Sequence, residues 1–273
     1  MRSLTLALSI FANGALAAPE VLTDIAPVQA IVADVMGELG QPNLLLPPDV
    51  DAHHYALRPS DAHRLGQAEA IIWIGPQMTP WLTKSLDSLA SETPRLALAT
   101  SDDPHLWLDP AMAAAAATDI AAWLSDIDPQ NADQYGANAE TAAARYMSLM
   151  ADIDAGIAPV RDRTILWPHD GYRFFERAFG LTSAGAIANT HAHEPGPAHI
   201  AELRDLVHNG GVDCVLLDAE INETWLTPVL EGATVKTGAI DPLGVGLPTG
   251  QGFYPSLIRQ MGAAITDCLT PPT

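Results

Sequence analysis

Short apolar runs alternate along the chain with longer segments in which apolar residues recur at helical spacing. Runs of this length, bounded by glycine, proline and acidic residues, are typical of buried strands. Strands that alternate with helices predict an α/β protein built on parallel sheets. The predicted strands are EVLTD, PNLLLPP, AIIWIGP and RLALAT in the first half, and RTILWPHD, LTSAGAIAN, VDCVLLDAE and TVKTGAIDP in the second.

A long alanine-rich segment separates these two sets of strands. It contains no proline between Pro129 and Pro159, and Tyr135, Tyr146 and Leu149 recur in it at approximately helical spacing. We therefore predict one long helix that joins two lobes, each a four-stranded, mainly parallel sheet with flanking helices. The predicted parts are a signal peptide (1–17), an N-terminal α/β lobe (18–127), the linking helix (128–159) and a C-terminal α/β lobe (160–273).

The first residues, MRSLTLALSIFANGALAAPE, have the pattern of an export signal. Arg2 precedes an apolar stretch, and the small residues Ala15 and Ala17 match the A-x-A pattern of signal-peptidase cleavage. No later apolar run approaches the ~20 residues that a membrane-spanning helix needs. We expect a mature chain that begins near Ala18 and is soluble in a bacterial periplasm.

Composition narrows the classes of partner. The 273 residues are 48% hydrophobic and 17% charged, which suits a globular protein with a substantial core. The formal net charge of −20 repels nucleic acid and attracts cations, so we expect no nucleic-acid partner. The two cysteines, Cys214 and Cys268, favour one disulfide in an exported chain, with two separate buried thiols as the alternative.

Metal-binding side chains follow four of the predicted strands. Ligands of open α/β sheets bind beyond the carboxyl ends of the strands. Three imidazoles and one carboxylate suit a tetrahedral zinc ion, whereas magnesium and calcium need more oxygen donors. Near His105, we expect the acidic residues Asp102, Asp103 and Asp109 to shape the loop and to start the next helix. The strand-end residues are His53 or His54 after PNLLLPP, His105 in DDPHLWLDP, His169 in RTILWPHD and Asp241 in TVKTGAIDP.

Four protein ligands fill a tetrahedral zinc site and leave no position for water, which favours binding over catalysis. The sequence also lacks the H-E-x-x-H, G-x-S-x-G and P-loop motifs. We therefore predict that the protein is not an enzyme. The alternative is a zinc hydrolase in which water replaces Asp241 and either Glu220 or Asp170, neither of them in a motif, acts as the general base.

The four segments resemble those of a known family, the solute-binding proteins of zinc and manganese ABC importers (cluster A-I), in which one long helix joins two lobes. DAHHYALRPSDAHRL is similar to the family's first ligand segment, DPHLWLDP to the second, HDGYRFFERAFGL to the third and DPLG to the fourth. The resemblance implies high-affinity capture of Zn²⁺ between the lobes and delivery to a membrane permease. The implied ligands are His53, His105, His169 and Asp241.

The resemblance also bears on the choice of metal and on the disulfide. Manganese members tend to have glutamate at the third ligand position, so His169 favours zinc. A manganese-binding importer component or an adhesin-like relative is the alternative. Zinc members join elements comparable to those that carry Cys214 and Cys268, which implies a bridge between this pair.

Two departures from the family pattern affect the expected partners. The histidine- and acid-rich insertion that many zinc members carry before DPHLWLDP is absent here. Because metal loading cannot then use this insertion, we include a periplasmic zinc metallochaperone among the candidate partners. We expect the protein itself to be a monomer. The segment NTHAHEPGPAH holds His191, His193 and His199. We take these histidines as a hypothetical auxiliary metal site, with a solvated loop as the alternative.

Overall fold

The computed structural model describes residues 18–188, 194–219 and 221–271. The predicted signal peptide, residues 1–17, lies outside these ranges. Within them, no helix is both long enough and apolar enough to cross a membrane. The strands are β1 Val21–Thr23, β2 Asn43–Leu44, β3 Ala70–Trp73, β4 Arg95–Ala97, β5 Thr164–His169, β6 Thr182–Ala188, β7 Cys214–Leu217 and β8 Lys236–Ala239.

The α-helices occupy the segments between these strands and after the last one. They are α1 Ala26–Met36, α2 Pro59–Gln67, α3 Pro80–Leu89, α4 Pro110–Ile127, α5 Ala132–Ile157, α6 Arg173–Phe179, α7 Pro197–His208, α8 Glu223–Leu230 and α9 Phe253–Leu269.

The strands form two parallel sheets with the same order of connection. The orders are β2-β1-β3-β4 and β6-β5-β7-β8, and each neighbouring pair is parallel. Each predicted apolar run contributes one strand, although PNLLLPP contributes only Asn43 and Leu44. Leu45 and Leu46 still donate to the carbonyls of Thr23 and Asp24, and Pro47 and Pro48, which have no N–H, end this series of hydrogen bonds. The predicted α/β fold of two four-stranded lobes is confirmed.

Helix α5 joins the two lobes. It packs against α1 and α4 on the first lobe and against α9 on the second. The Tyr146 hydroxyl donates a hydrogen bond to Asp34 of α1 at 2.5 Å, and the Tyr146 ring centroid lies 4.4 Å from that of Tyr254 in α9. Buried residues of both lobes therefore belong to one continuous core. The boundaries of the lobes and of the linking helix at residues 127/128 and 159/160 stay a prediction.

Trp107 connects the lobes at the ends of their sheets. It lies in the short 3₁₀ turn Leu106–Leu108 after β4 and is fully buried. Its indole N–H donates to the carbonyl of Pro242, which follows β8, at 2.8 Å, and its own carbonyl accepts from the Tyr254 hydroxyl at 2.8 Å. The segments that follow β4 and β8 are thereby held together.

Two of the three acidic residues around this turn act as expected from the sequence: Asp103 accepts the backbone N–H of His105 at 3.0 Å within the loop, and Asp109 begins the next helix. Asp109 accepts hydrogen bonds from the backbone N–H groups of Ala111 at 2.8 Å and Met112 at 3.4 Å. It is thus the N-cap of α4, with Pro110 at the first helical position, where no N–H is needed.

The predicted disulfide is present and joins Cys214 in β7 to Cys268 in α9 across a sequence separation of 54 residues. Both residues are buried. The bridge attaches the last helix to a central strand of the second sheet.

We predict that the Cys214→Ala/Cys268→Ala double variant is about 2–4 kcal/mol less stable than the parent, because the bridge restricts the unfolded chain. Urea unfolding of the metal-free proteins measures the difference. Zinc affinity is expected to be unchanged, since both sulfurs lie outside the histidine cluster described below. Equal unfolding midpoints for parent and variant would contradict a stabilising role.

A second buried feature makes stability depend on pH. Asp24 follows β1 and accepts hydrogen bonds from the N–H groups of Ile25 at 2.9 Å and Ile74 at 3.1 Å and from the Thr79 hydroxyl at 3.2 Å. Burial raises the pKa of Asp24 to about 7, although these hydrogen bonds act in the opposite direction. The folded protein therefore retains a proton that the unfolded chain, with an aspartate pKa of about 3.9, releases.

We predict that this contribution to stability is complete below pH ~4 and is lost as the pH rises through ~7. Relative to Asp24→Asn, the parent should lose about 2–3 kcal/mol of unfolding free energy between pH 5 and pH 8. Urea unfolding at both pH values measures this change, with the exposed Asp87→Asn variant as control. A parent-to-variant difference that is constant over this interval would disprove it.

Candidate metal centre

Three histidines from separate strand ends converge in the cleft between the lobes. One ring nitrogen of each of His53, His105 and His169 lies within 4.8 Å of the other two. The ring centroids are 5.4–6.4 Å apart. The three residues are 5%, 1% and 2% exposed. In the part of the chain that the structure describes, no other group of three histidine, cysteine or acidic side chains has metal-binding geometry.

Sheet geometry explains this convergence. His53 lies in the loop after β2, His105 follows β4, and His169 is the last residue of β5. Because the strands of each sheet are parallel, the carboxyl ends of neighbouring strands share one edge, which is where ligands of α/β sheets bind. The rule used on the sequence therefore located this cluster.

The structure distinguishes His53 from His54. An oxygen of Asp51 accepts the backbone N–H groups of His53 at 2.8 Å and of His54 at 3.2 Å, which forms a local turn. Within this turn His53 is buried beside the other imidazoles. The His54 side chain is 53% exposed, and its Nδ1 lies 2.9 Å from Asp51 Oδ2.

Carboxylates contact the far nitrogens of two imidazoles. His105 Nδ1 lies 2.8 Å from Asp103 Oδ1, and His169 Nδ1 lies 2.9 Å from Asp218 Oδ2. In both rings Nε2 is therefore the nitrogen that can face a metal. Asp218 is not among the residues predicted from the sequence, although it directly follows β7 and the strand-end rule applies to it as well.

Gly171 keeps the space between two imidazoles open. A Cβ atom at this position would lie 2.3 Å from His169 Nε2 and 2.9 Å from His105 Cε1. Any side chain here would compete with the rings for the centre of the cluster. Sequence pattern gives no sign of this role, because the contact depends on the approach of the two lobes.

Asp241 lies outside the group of three histidines. Its Oδ1 accepts the N–H groups of Leu243 and Gly244, both at 2.9 Å, and its Oδ2 accepts that of Val245 at 2.5 Å. The carboxylate is therefore held by its own loop. Together with Asp218 it lines a cleft of about 600 Å³. Its role as the fourth ligand stays a prediction.

The other candidate residues are only partly described. His191, His193 and Glu220 lie outside the described residues. His199 is in α7, is exposed and donates from Nε2 to the carbonyl of Ala186 at 2.9 Å. The auxiliary metal site therefore stays a hypothesis. Asp170, the other candidate base, accepts from Arg173 Nε at 2.6 Å.

Comparison with known proteins identifies the family. The ZnuA family, described as the periplasmic component A of the zinc-uptake complex, matches residues 21–268. The high-affinity zinc uptake system protein ZnuA of Paracoccus denitrificans is 34% identical over 92% of this chain and 92% of its own length. The chain belongs to the ZnuA family. Its members are solute-binding proteins of ABC importers, which work with a membrane permease.

Solved structures agree with the fold. A crystal structure of ZnuA superimposes with a TM-score of 0.80 at 21% identity and covers 92% of this chain and 100% of that one. The laminin-binding protein Lmb of Streptococcus agalactiae, described as an adhesin with metal-transporting activity, gives the same values. Family membership confirms that the protein is not an enzyme, so the hydrolase alternative is wrong.

We predict that Gly171→Val lowers zinc affinity by at least about tenfold, since the new side chain displaces the imidazoles of His169 and His105. Titration against a competing chelator measures the change. Gly136→Val, in helix α5, is the control, because a Cβ at Gly136 meets no atom within 4 Å. Equal losses in both variants would show that glycine at 171 has no specific role.

Proposed function

We propose that this protein captures Zn²⁺ with high affinity in the periplasm and delivers it to the membrane permease of an ABC importer. The convergence of His53, His105 and His169 within 4.8 Å carries the proposal. A tetrahedral zinc ion binds nitrogens at about 2.0–2.1 Å, which places them roughly 3.3 Å apart. The buried imidazoles therefore need only a small inward movement to bind the ion.

Asp241 is the proposed fourth ligand. It lines the same cleft as Asp218, and the bond from Trp107 to the neighbouring Pro242 holds its segment close to His105. Because Asp241 lies outside the group of three histidines, its carboxylate must move toward the imidazoles to bind zinc. Metal binding would thereby change the conformation of this loop, which a permease can detect as the loaded state.

The donor set favours zinc over manganese. Imidazole nitrogens suit zinc, whereas manganese prefers carboxylate, carbonyl and water oxygens. The fold does not distinguish zinc from manganese, because the zinc-uptake protein ZnuA and the adhesin Lmb share it. Zinc as the transported ion and the rejection of the manganese or adhesin-like alternative therefore rest on the three histidines.

Export, loading and oligomeric state complete the proposal. Residues 1–17 would direct the chain to the periplasm and be removed. The segment between β3 and His105 contains no histidine, so loading by a periplasmic metallochaperone is consistent with the sequence. The protein would act as a monomer, since metal capture needs only the two lobes of one chain.

Titration of metal-free protein with zinc and manganese, each against a competing chelator, tests the function. We expect tight binding of one zinc ion per chain and weaker binding of manganese. Replacement of a residue that contacts a metal ligand typically lowers metal affinity about 10–100-fold. Because His105 and His169 are proposed as ligands themselves, His105→Ala and His169→Ala should each lower zinc affinity by more than this. His54→Ala, the exposed neighbour, is the control and should bind as the parent does.

Preference for manganese, or unchanged affinity in the two buried-histidine variants, would contradict the proposal. The Asp241→Asn variant tests the fourth ligand separately. A loss of about tenfold or more is expected if this carboxylate binds the ion. Parent-like affinity would remove Asp241 from the site while leaving the three histidines in place.

A further inference from the structure

A buried chain of hydrogen bonds lies behind His169. Its Nδ1 is 2.9 Å from Asp218 Oδ2, and the Tyr172 hydroxyl donates to the same oxygen at 2.9 Å. The side chains of His169 and Asp218 are 3% and 1% exposed, and Tyr172 is fully buried. We infer that Asp218 is a positioning residue for zinc binding, held in place by Tyr172. This inference rests on the proposed function, in which His169 binds zinc.

The chemistry of the pair determines which nitrogen of His169 carries the proton. A neutral imidazole has one N–H donor and one acceptor nitrogen, whereas an ionised carboxylate only accepts. The contact with Asp218 therefore requires the proton on Nδ1 and leaves the lone pair on Nε2. Since a metal binds the unprotonated nitrogen, Asp218 selects the tautomer that is ready for zinc.

The sheet fixes the distance between the two side chains. His169 ends β5 and Asp218 follows β7, and these two strands are paired neighbours in the second sheet. They flank the point where the strand order reverses, which is where α/β sheets form their ligand crevice. Groups on paired strands keep their separation better than groups on loops, so the contact is ready before metal arrives.

Tyr172 is itself fixed by packing. Its ring stacks on that of Trp167 in β5, with centroids 4.8 Å apart and planes inclined by 14°. This stacking sets the direction in which the hydroxyl points. The hydroxyl then holds the Asp218 carboxylate in the orientation that meets His169 Nδ1.

Asp103 makes a similar contact with His105 but is a poorer subject for a test. Its side chain is 14% exposed, and its Oδ1 also accepts the backbone N–H of His105 at 3.0 Å. Replacing Asp103 would therefore alter the loop as well as the imidazole. Replacement of Asp218 tests its contacts with two side chains, His169 and Tyr172.

The test uses Asp218→Ala, which removes the acceptor, Asp218→Asn, which removes the charge, and Tyr172→Phe, which removes the supporting donor. We expect zinc affinity to fall by up to about 100-fold, about tenfold and a few-fold, respectively. Tyr135→Phe is the matched control, since the Tyr135 hydroxyl donates to buried Asp128 at 2.7 Å, away from the cluster. This control should retain parent affinity.

Nitrogen NMR of the metal-free proteins supplies a readout that a purely structural role would not change. The parent should show His169 protonated on Nδ1, and Asp218→Ala should shift the ring toward the Nε2-protonated tautomer. If Asp218→Ala does not fold, the Asn and Phe variants give the same test with smaller changes.

The outcomes separate this inference from the proposed function. A parent protein that fails to bind zinc contradicts the proposed function, whatever the tautomer. A parent that binds zinc while its folded Asp218 and Tyr172 variants keep both its tautomer and its affinity overturns the role of Asp218.

Discussion

The contact between the Trp107 indole and the Pro242 carbonyl is the constraint on which the rest of the site depends. It joins the segment after β4, which carries His105, to the segment after β8, which carries Asp241. The Tyr254 hydroxyl, bound to the Trp107 carbonyl, anchors the same turn to the last helix. Separation of the lobes at this point would exchange these buried hydrogen bonds for bonds to water and would expose the fully buried Trp107 ring, which is unfavourable. The linking helix α5 reinforces the arrangement by packing on both lobes.

Two sheets with the same strand order, facing each other at their carboxyl ends, provide a site that neither lobe could form alone. The first lobe contributes His53 and His105, and the second contributes His169. A metal ion bound by all three would join the lobes by direct coordination. The protein's strong negative charge favours the approach of cations, and under the proposed function the buried imidazoles would select among them by donor type.

The proposed ligands His169 and Asp241 differ in how their side chains are held. His169 and Asp218 lie on paired strands, and the tyrosine beside them is fixed by stacking on Trp167. Asp241 instead lies on a loop whose own N–H groups hold the carboxylate. If Asp241 binds the ion as proposed, the return of its carboxylate to these backbone donors would provide a route for release.

The sequence by itself determined the strands, the long helix and the strand ends that carry His105 and His169, because apolar periodicity and the position of a residue after a strand are local properties. It also placed the disulfide, through the even cysteine count and the family resemblance. The position after a strand left both His53 and His54 as candidates, and the family resemblance favoured His53, which the structure places in the cluster. Only the tertiary structure decided that Gly171 leaves room between the rings and that Asp218 meets His169. These facts depend on which strands pair and how closely the two lobes approach. The contacts of Gly171 with His105 and of Asp218 with His169 join residues far apart in the chain, so no local pattern records them.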